Sequence, residues 1–226
     1  MLPILKNIMK VYQPEPTNKQ RRSSVLIPLM EIEGEWHVVY EVRSGIVSQA
    51  GDASFPGGRI ELNESPKEAA VRETTEELNI DEDNIEVYGE MDYIANDFTI
   101  IYCYVGEIKG IAFEDIEPNE EVEMLFTIPL KTLIEDDPVF FEVSSEDTFP
   151  DDFPFDRITY GKEFKFGSRN RTVPYYPNEN YFLWGMTANL TYHFVDILRT
   201  FGYSIDGEVE NIGEEPKEDN YSDPRL

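Results

Sequence analysis

One stretch constrains the fold of this chain more than any other. Residues 55–80 combine a Gly-Gly pair, a short loop and a helix rich in glutamate. Ser65 is a favourable N-cap, Pro66 stands at the first helical position, and Glu68 completes a capping box with Ser65. Asn79 tolerates the left-handed conformation that often ends a helix. These local signals predict both ends of the helix.

Three glutamates of the predicted helix, Glu73, Glu76 and Glu77, fall within one arc of about 100° at helical spacing. Like charges so close repel each other, and a hard divalent cation with oxygen ligands would offset the repulsion. The alternative is a solvated acidic face, which is common in acidic proteins. Glu64 and Arg72 favour a site, because Arg72 can pair with a neighbouring carboxylate and fix its rotamer. The Gly-Gly pair favours it too, since glycine lets the backbone approach the helix closely.

These residues together resemble the Nudix box, whose pattern is G-x5-E-x7-R-E-U-x-E-E-x-G-U, with U an aliphatic residue. Two positions depart from it, because Thr74 replaces an aliphatic residue and Asn79 replaces the second glycine. Such a match is far more specific than a lone glycine-rich loop. The residues that match at the required spacing are Gly58, Glu64, Arg72, Glu73, Glu76, Glu77 and Ile80.

The resemblance implies an α/β protein, the Nudix α/β/α sandwich with a mixed β-sheet. It implies hydrolysis of the pyrophosphate bond in a nucleoside diphosphate linked to another moiety, with Mg²⁺ or Mn²⁺ as cofactor. The implied metal ligands are the carboxylates of Glu73, Glu76 and Glu77 and the carbonyl of Gly57.

The resemblance also implies catalytic roles. Glu73 is a metal ligand or the base that deprotonates water, and Arg72 and Glu64 orient the metal-binding groups. Glu121 occupies the place of an acid that joins the metal site or acts as base in many Nudix enzymes; the alternative is a turn of solvated acids. The candidates for contacts to substrate phosphates are Arg43 and Arg59.

Two further segments are similar to the coenzyme A pyrophosphatase branch of the family. The first has Arg43-Ser44, Gly51 and Phe-Pro-Gly-Gly at 55–58, although Ser48 or Gln49 stands where the branch has a spaced arginine. The second is the Trp-Gly-x-Thr-Ala segment at residues 184–188. The resemblance implies coenzyme A or its derivatives as substrate, giving 3′,5′-ADP and 4′-phosphopantetheine.

The sequence leaves other substrates and other classes of function open. The missing arginine favours ADP-ribose or another nucleotide sugar as the alternative substrate. A different class of function is a Nudix-fold module that binds a nucleotide without cleaving it. Such modules usually lose box glutamates, and here all are present. A third class is a structural or adaptor role through an aromatic-rich segment.

Composition limits the partners. The chain has 226 residues with 19 Lys and Arg against 46 Asp and Glu, a formal net charge of −27. This charge argues against binding to nucleic acid or to an anionic membrane. The expected partner, a small nucleotide, is implied by the family resemblance. The single cysteine, Cys103, excludes an intramolecular disulfide, suits a cytoplasmic location and is expected in the core.

The predicted organisation has three parts. Residues 1–20 form an arm and linker that begins with a short amphipathic helix or arm docking on the core. Residues 21–205 form the Nudix hydrolase domain, and residues 206–226 an acidic, flexible tail. Within the domain, residues 138–184 form an aromatic-rich C-terminal elaboration. It is interpreted as a lid, as a dimerisation surface of a possible homodimer, or as a packed extension of the sheet.

Alternating and apolar patterns predict the remaining elements. A tight turn at Glu33-Gly34 joins the first two strands. A long helix falls within residues 181–198. The predicted strands cover residues 24–32, 36–43, 85–95 and 99–108, a short strand ending before Leu130, and a pair at 155–166 and 172–176.

Overall fold

The computed structural model describes residues 2–13, 19–164, 166, 170–177 and 182–203. The predicted acidic tail at 206–226 lies outside them. None of the described helices is long and apolar enough to cross a membrane. The helices are α1 (Leu2–Val11), α2 (Pro66–Leu78), α3 (Leu130–Glu135) and α4 (Gly185–Thr200). The strands are β1 (Arg21–Ile32), β2 (Glu35–Arg43), β3 (Ala53–Ser54), β4 (Gly57–Arg59), β5 (Ile85–Ala95), β6 (Thr99–Ile108), β7 (Val122–Pro129), β8 (Val139–Val143), β9 (Arg171–Pro177) and β10 (Phe182–Trp184).

The chain divides into two compact units, and β1 contributes residues to both. The first unit comprises Met1–Pro28 and Pro56–Asn119, and the second comprises Leu29–Phe55 and Glu120–Leu226. The organisation predicted from the sequence, with one domain over residues 21–205, stays a prediction.

The first unit contains α2 and the strands around it. β1 pairs with β4 in antiparallel register, with Val25 opposite Gly57, and β6 is another neighbour of β1. β5 and β6 form a long antiparallel hairpin with the predicted bounds. Leu26, Ala70 and Tyr104 form a buried cluster, so α2 packs on this sheet through its small residues.

The predicted N-terminal helix is present as α1, but its expected docking is not observed. Its apolar side chains are largely exposed, from 53% for Ile8 to 77% for Val11. The pattern of apolar and basic residues predicts the helix, but it does not identify the surface against which the helix packs.

The second unit is built around β2. Glu33 and Gly34 have φ values of 53° and 85°, which make the predicted tight turn from β1 into β2. β2 then pairs with β3 on one side, and its register with β7 places Val38 opposite Ile128. Most of its central residues are buried, and Val38, Val39 and Tyr40 have no exposed surface.

A second, three-stranded sheet has the order β10-β9-β8. The predicted pairing of residues 155–166 with 172–176 is therefore wrong: β9 pairs with β8 and β10, while Phe155–Arg157 and Gly161–Glu163 are 3-10 turns. Pro154 cannot donate to a ladder, and Tyr160 has a positive φ of 72°. The phenyl rings of this segment instead pack on one another, those of Phe149 and Phe166 with centroids 4.7 Å apart.

Candidate active site on the capped helix

Both ends of α2 have the predicted caps. The Ser65 hydroxyl accepts a hydrogen bond from the Glu68 backbone N–H at 3.3 Å, and the Glu68 carboxylate accepts one from the Ser65 N–H at 2.8 Å. Asn79 ends the helix in the left-handed conformation, with φ 53° and ψ 47°. The caps fix where the helix starts and stops, and so they fix the positions of its glutamates.

The three predicted metal ligands on α2, Glu73, Glu76 and Glu77, do not share one exposed face. Glu76 is exposed, with 57% of its side-chain surface accessible, and Glu73 is accessible over 18%. Glu77 is buried at 5%, among the helix residues that face the core. The alternative of a solvated acidic face is therefore wrong for Glu77, because a carboxylate out of water needs a strong partner.

Gly57 supplies that partner. Its backbone N–H donates a hydrogen bond of 2.7 Å to Oε2 of Glu77. The family resemblance implied that the Gly57 carbonyl binds the metal. The contact seen here instead uses the backbone N–H of Gly57. A charge-assisted bond of this kind is about twice as strong as one between neutral groups.

Arg72 holds Glu64 with two parallel hydrogen bonds. Its Nε lies 2.8 Å from one Glu64 carboxylate oxygen and its Nη2 lies 3.1 Å from the other. The hydrogen bonds from Arg72 lower the pKa of Glu64, and the same bonds raise the pKa of Arg72. Nη2 also donates to the Arg59 carbonyl at 3.1 Å, so Arg72 joins the loop before α2 to the helix.

The third nitrogen of Arg72 faces two of the predicted metal ligands. Nη1 lies 3.0 Å from Oε1 of Glu73 and 3.1 Å from Oε2 of Glu76. One guanidinium thus stands among three carboxylates and offsets the repulsion between them. The predicted pairing of Arg72 with neighbouring acids is observed.

The second glycine of the pair leaves room for Glu73. A Cβ atom on Gly58 would lie 2.4 Å from the carboxyl carbon of Glu73. A Cβ atom on Gly57 would lie 2.4 Å from the carbonyl oxygen of Ser24 and 2.6 Å from the Cα of Val25. Gly58 therefore leaves room for the Glu73 side chain, whereas Gly57 leaves room for the neighbouring backbone.

Asn119 is a candidate positioning residue that the sequence did not reveal. Its backbone N–H donates to the Glu77 carbonyl and its Nδ2 donates to the Glu76 carbonyl, both at 2.9 Å. These carbonyls belong to the last turn of α2, where helix carbonyls lack partners within the helix. Asn119 fixes the backbone that carries two predicted ligands.

The remaining predicted residues have different surroundings. Arg59 is exposed and contributes only its carbonyl to the Arg72 network. Arg43 donates from Nε to the Ser48 carbonyl at 2.8 Å and lies 4.0 Å from the buried Glu41 carboxylate. Glu121 is exposed, and its carbonyl accepts a hydrogen bond of 2.9 Å from the Ser44 N–H. Arg43 and Glu121 thus lie close together in the second unit.

The two segments that resemble the coenzyme A branch meet in the second unit. Trp184 donates from Nε1 to the Asp52 carboxylate at 3.2 Å. Thr187 donates to the Ala53 carbonyl at 2.8 Å. Arg43 is tied to the same loop, because its N–H donates to the Asp52 carbonyl at 3.0 Å. The start of α4 therefore holds the loop that follows Arg43.

Comparison with known proteins identifies the family. Residues 20–146, more than half of the chain, match the model described as the NUDIX domain. The chain belongs to this family. The predicted recognition as a member of the Nudix family and the Nudix α/β fold class are confirmed.

Curated Nudix relatives cover different shares of the chain. Nudix hydrolase 3 of Caenorhabditis elegans is 35% identical over 118 residues, which are 49% of this chain and 48% of that protein. The matched region thus spans about half of that relative's length. The uncharacterized Nudix hydrolase NudL of Salmonella dublin is 26% identical over 193 residues, covering 80% of this chain and 86% of that protein.

Solved Nudix structures are similar at lower identity. A binary complex of the C. elegans Ap4A hydrolase is 18% identical with a TM-score of 0.42, covering 51% of this chain and 84% of that chain. A MutT/nudix family protein from Enterococcus faecalis is 14% identical with a TM-score of 0.46, covering 90% of this chain and 71% of that chain.

The donor chemistry of the Nudix box fits a hard divalent cation, which prefers carboxylate and carbonyl oxygens. In the described part of the chain, no three His, Cys, Asp or Glu side chains converge as a metal cluster. Carboxylate oxygens of Glu73 and Glu76 nevertheless converge on one positive group, Nη1 of Arg72. The residue types therefore suit the predicted Mg²⁺ or Mn²⁺, in an arrangement where Arg72 holds two of the predicted ligands.

Proposed function

We propose that the chain is a divalent-metal-dependent pyrophosphohydrolase that cleaves the pyrophosphate bond of a nucleoside diphosphate derivative. The observation that carries this proposal is the network centred on Arg72, which holds Glu64, Glu73 and Glu76 together at hydrogen-bond distance. A module that only binds nucleotides has no need to keep several repelling carboxylates in one network.

The residues divide the chemistry between them. Glu73, Glu76 and Glu77, with the carbonyl of Gly57, would hold Mg²⁺ or Mn²⁺. When bound, the ion neutralises charge on the phosphate oxygens and lowers the pKa of a coordinated water. Arg72 and Glu64 orient the ligands, and Asn119 fixes the backbone that carries two of them.

The base that accepts a proton from the attacking water is a carboxylate. Glu73 is the first candidate because it lies within the box, beside Arg72. Glu121 is the second, on the strength of the family resemblance of its segment. Arg43 and Arg59 are the candidates for contacts to the substrate phosphates, since a guanidinium can bind a phosphate with two hydrogen bonds.

Coenzyme A or one of its derivatives is the proposed substrate, with 3′,5′-ADP and 4′-phosphopantetheine as products. Both branch-like segments support it, because hydrogen bonds from Trp184 and Thr187 join the second segment to the loop of the first. ADP-ribose is the alternative, because Ser48 or Gln49 stands where the branch has an arginine. The cytoplasmic location remains part of the proposal, supported by the single, buried Cys103.

A panel of substrates tests the reaction. The purified protein is incubated with Mg²⁺ or Mn²⁺ and coenzyme A, ADP-ribose, NADH or a dinucleoside polyphosphate, and the products are resolved by mass. Release of phosphopantetheine ahead of the other products supports the coenzyme A assignment, and preference for ADP-ribose supports the alternative. Loss of all turnover on adding EDTA is expected. No turnover of any substrate would favour the binding module.

Glu76→Gln tests the role of the box. We expect it to abolish metal-dependent turnover while the melting temperature stays near that of the wild type, because the Glu76 side chain is 57% exposed. Glu114→Gln, an exposed acid on a 3-10 turn, is the matched control and should keep full activity. Wild-type turnover in Glu76→Gln would contradict the assignment of Glu76 as a metal ligand.

A further inference from the structure

Ser24 on β1 is a buried residue whose hydroxyl has no hydrogen-bond partner among the described residues. Its side chain has no exposed surface, and its Oγ meets neither a donor nor an acceptor there. Burying a hydroxyl without a hydrogen bond costs free energy of folding, and such groups are uncommon in native proteins. Packing alone gives no reason for a serine at this position, because alanine would fill nearly the same space without that cost.

The register of β1 turns Ser24 toward α2. Ser24 lies directly opposite Gly58 of β4, and opposite residues in an antiparallel pair have their side chains on the same face. Leu26, two residues further along β1, shares this face and packs in a buried cluster with Ala70 of α2. The pairing with β4 and the packing of Leu26 therefore agree on the direction of the Ser24 side chain.

Glu73 is the residue of α2 that lies at this position. It follows Ala70 by three residues, so it lies about one turn further along the same side of the helix. Its carboxylate fills the space beside Gly58, where a Cβ atom would lie 2.4 Å from Oε1 and 2.6 Å from Oε2. Facing Cβ atoms of an antiparallel pair are about 4.5–5.5 Å apart. The Ser24 hydroxyl and the Glu73 carboxylate thus lie side by side on one face of the sheet.

The two groups are chemically complementary. A serine hydroxyl can rotate to donate a hydrogen bond, whereas an ionised carboxylate only accepts. In the structure, Oε1 of Glu73 lies 3.0 Å from Nη1 of Arg72. A divalent ion in the box competes with the guanidinium for this carboxylate, because hard cations prefer carboxylate oxygens. A carboxylate that turns from Arg72 to the ion needs another donor to fix its orientation, and Ser24 can supply it.

We propose that Ser24 is a positioning residue for the metal site, whose hydroxyl donates a hydrogen bond to the Glu73 carboxylate when a divalent ion is bound. This role depends on the proposed function, because it takes Glu73 as a metal ligand. Ser24 stands outside the Nudix box, and nothing in its sequence surroundings indicates the contact. Groups that orient a metal ligand typically contribute about 10- to 100-fold to metal affinity.

Binding of Mn²⁺ in the absence of substrate tests the proposal. Free Mn²⁺ is measured by electron paramagnetic resonance while each protein is titrated with the ion. Ser24→Ala should weaken tight binding by about 10- to 100-fold. Ser23→Ala is the matched control and should bind like the wild type, because alternation along β1 turns Ser23 to the opposite face. Glu76→Gln gives the background of ions bound by the rest of the acidic surface.

Thermal unfolding separates positioning from a purely structural role. Without metal, Ser24→Ala should melt at or above the wild-type temperature, because an unpaired buried hydroxyl is removed. At equal Mn²⁺ concentration the wild type should gain more in melting temperature than the variant, because stabilisation by a ligand rises with its affinity. A structural residue would instead shift the melting temperature equally with and without the ion.

A second variant keeps the test independent of the packing at this position. Ser24→Cys keeps the shape of the side chain but is a weak donor, so it should lose Mn²⁺ affinity as Ser24→Ala does. Wild-type affinity in both variants would overturn the role of Ser24 and leave the proposed function standing. A wild type that binds Mn²⁺ no better than Glu76→Gln would overturn the proposed metal site, and the role of Ser24 with it.

Discussion

At the level of single residues, the candidate site depends on how closely Gly58 approaches Glu73. The Cβ of Gly58→Ala would lie 2.4 Å from the Glu73 carboxyl carbon, so the carboxylate must move. We expect hydrolysis to fall by about 10- to 100-fold, the usual range when the support of a metal ligand is lost. The melting temperature should change little, because the displaced atoms end a flexible side chain.

Two other glycine substitutions serve as controls for Gly58→Ala. Gly89→Ala adds a methyl group in open space and should leave turnover unchanged. Gly57→Ala would press a methyl group against the Ser24 carbonyl and should lower the free energy of unfolding by about 1–3 kcal/mol. Steady-state turnover and thermal unfolding separate the two effects, and full turnover in Gly58→Ala would show that Glu73 is not needed in its present position.

The ion pair of Glu64 and Arg72 predicts a pH dependence of stability. Hydrogen bonds from Arg72 lower the pKa of Glu64 in the folded protein, so the unfolded chain binds the proton more tightly. The resulting stabilisation is present above the unfolded value, about 4.3, and is lost as the pH falls through the lower folded value. Glu64→Gln should therefore have a lower melting temperature than the wild type at pH 7.

The size of that difference should depend on pH. Below the folded pKa, wild-type Glu64 is protonated and resembles glutamine, so the two melting temperatures should converge as the pH falls through that lowered value. Melting curves at several pH values below 7 measure the convergence. A constant difference for Glu64→Gln would mean that the ion pair does not set the stability of this region.

At the level of elements, the sequence predicted those whose signals are local. The caps of α2 lie within a few residues of its ends, and the hairpin β5–β6 has strong strand patterns on either side of a turn. Residues 155–166 were predicted wrongly because aromatic composition favours a strand, while the phenyl rings pack on one another in turns. The burial of Glu77 could not be predicted from the sequence pattern either, because it depends on the hydrogen bond from the N–H of Gly57.

Asn119 shows why part of the site could not be predicted. Its side chain meets the Glu76 carbonyl across 43 positions of sequence, and an asparagine in an acidic turn carries no signal of such a contact. Asn119→Ala should lower the free energy of unfolding by about 1 kcal/mol, because one hydrogen bond is lost. It should also raise the metal concentration needed for half-maximal turnover, because the last turn of α2 is less firmly held.

Asn84→Ala is the matched control for Asn119→Ala. The Asn84 Nδ2 also donates to a distant carbonyl, that of Lys109 at 2.8 Å, but away from the box. We expect it to lower stability by a similar amount and to leave the metal dependence unchanged. Equal metal titrations for both variants would reduce Asn119 to a purely structural residue.

At the scale of the whole molecule, charge is the dominant property. The 46 acidic residues outnumber the 19 basic ones, and the described ion pairs of Arg72, Lys109 and Arg199 engage few of the acids. Unpaired like charges repel each other in the compact state. The net charge can be counted from the sequence, whereas which acids form an ion pair with a Lys or Arg depends on the fold.

Salt should therefore stabilise the chain. Raising the ionic strength from about 0.01 M to about 0.15 M shortens the screening length from about 30 Å to about 8 Å. If the repulsion weakens by about 1 kcal/mol, the melting temperature rises by about 2–4 °C for a chain of this size. Melting curves in NaCl and KCl should agree, because screening does not depend on which monovalent cation is present.

Measurements near the sequence pI of about 4.2 complete the test. There the net charge approaches zero, so added salt should leave the melting temperature nearly unchanged if self-repulsion is the cause. A melting temperature that falls with salt at pH 7 would mean that attractive pairs such as Arg72 with Glu64 outweigh the repulsion, because screening weakens both. A rise at pH 7 that persists unchanged at the pI would instead assign the effect to the exclusion of salt from the protein surface.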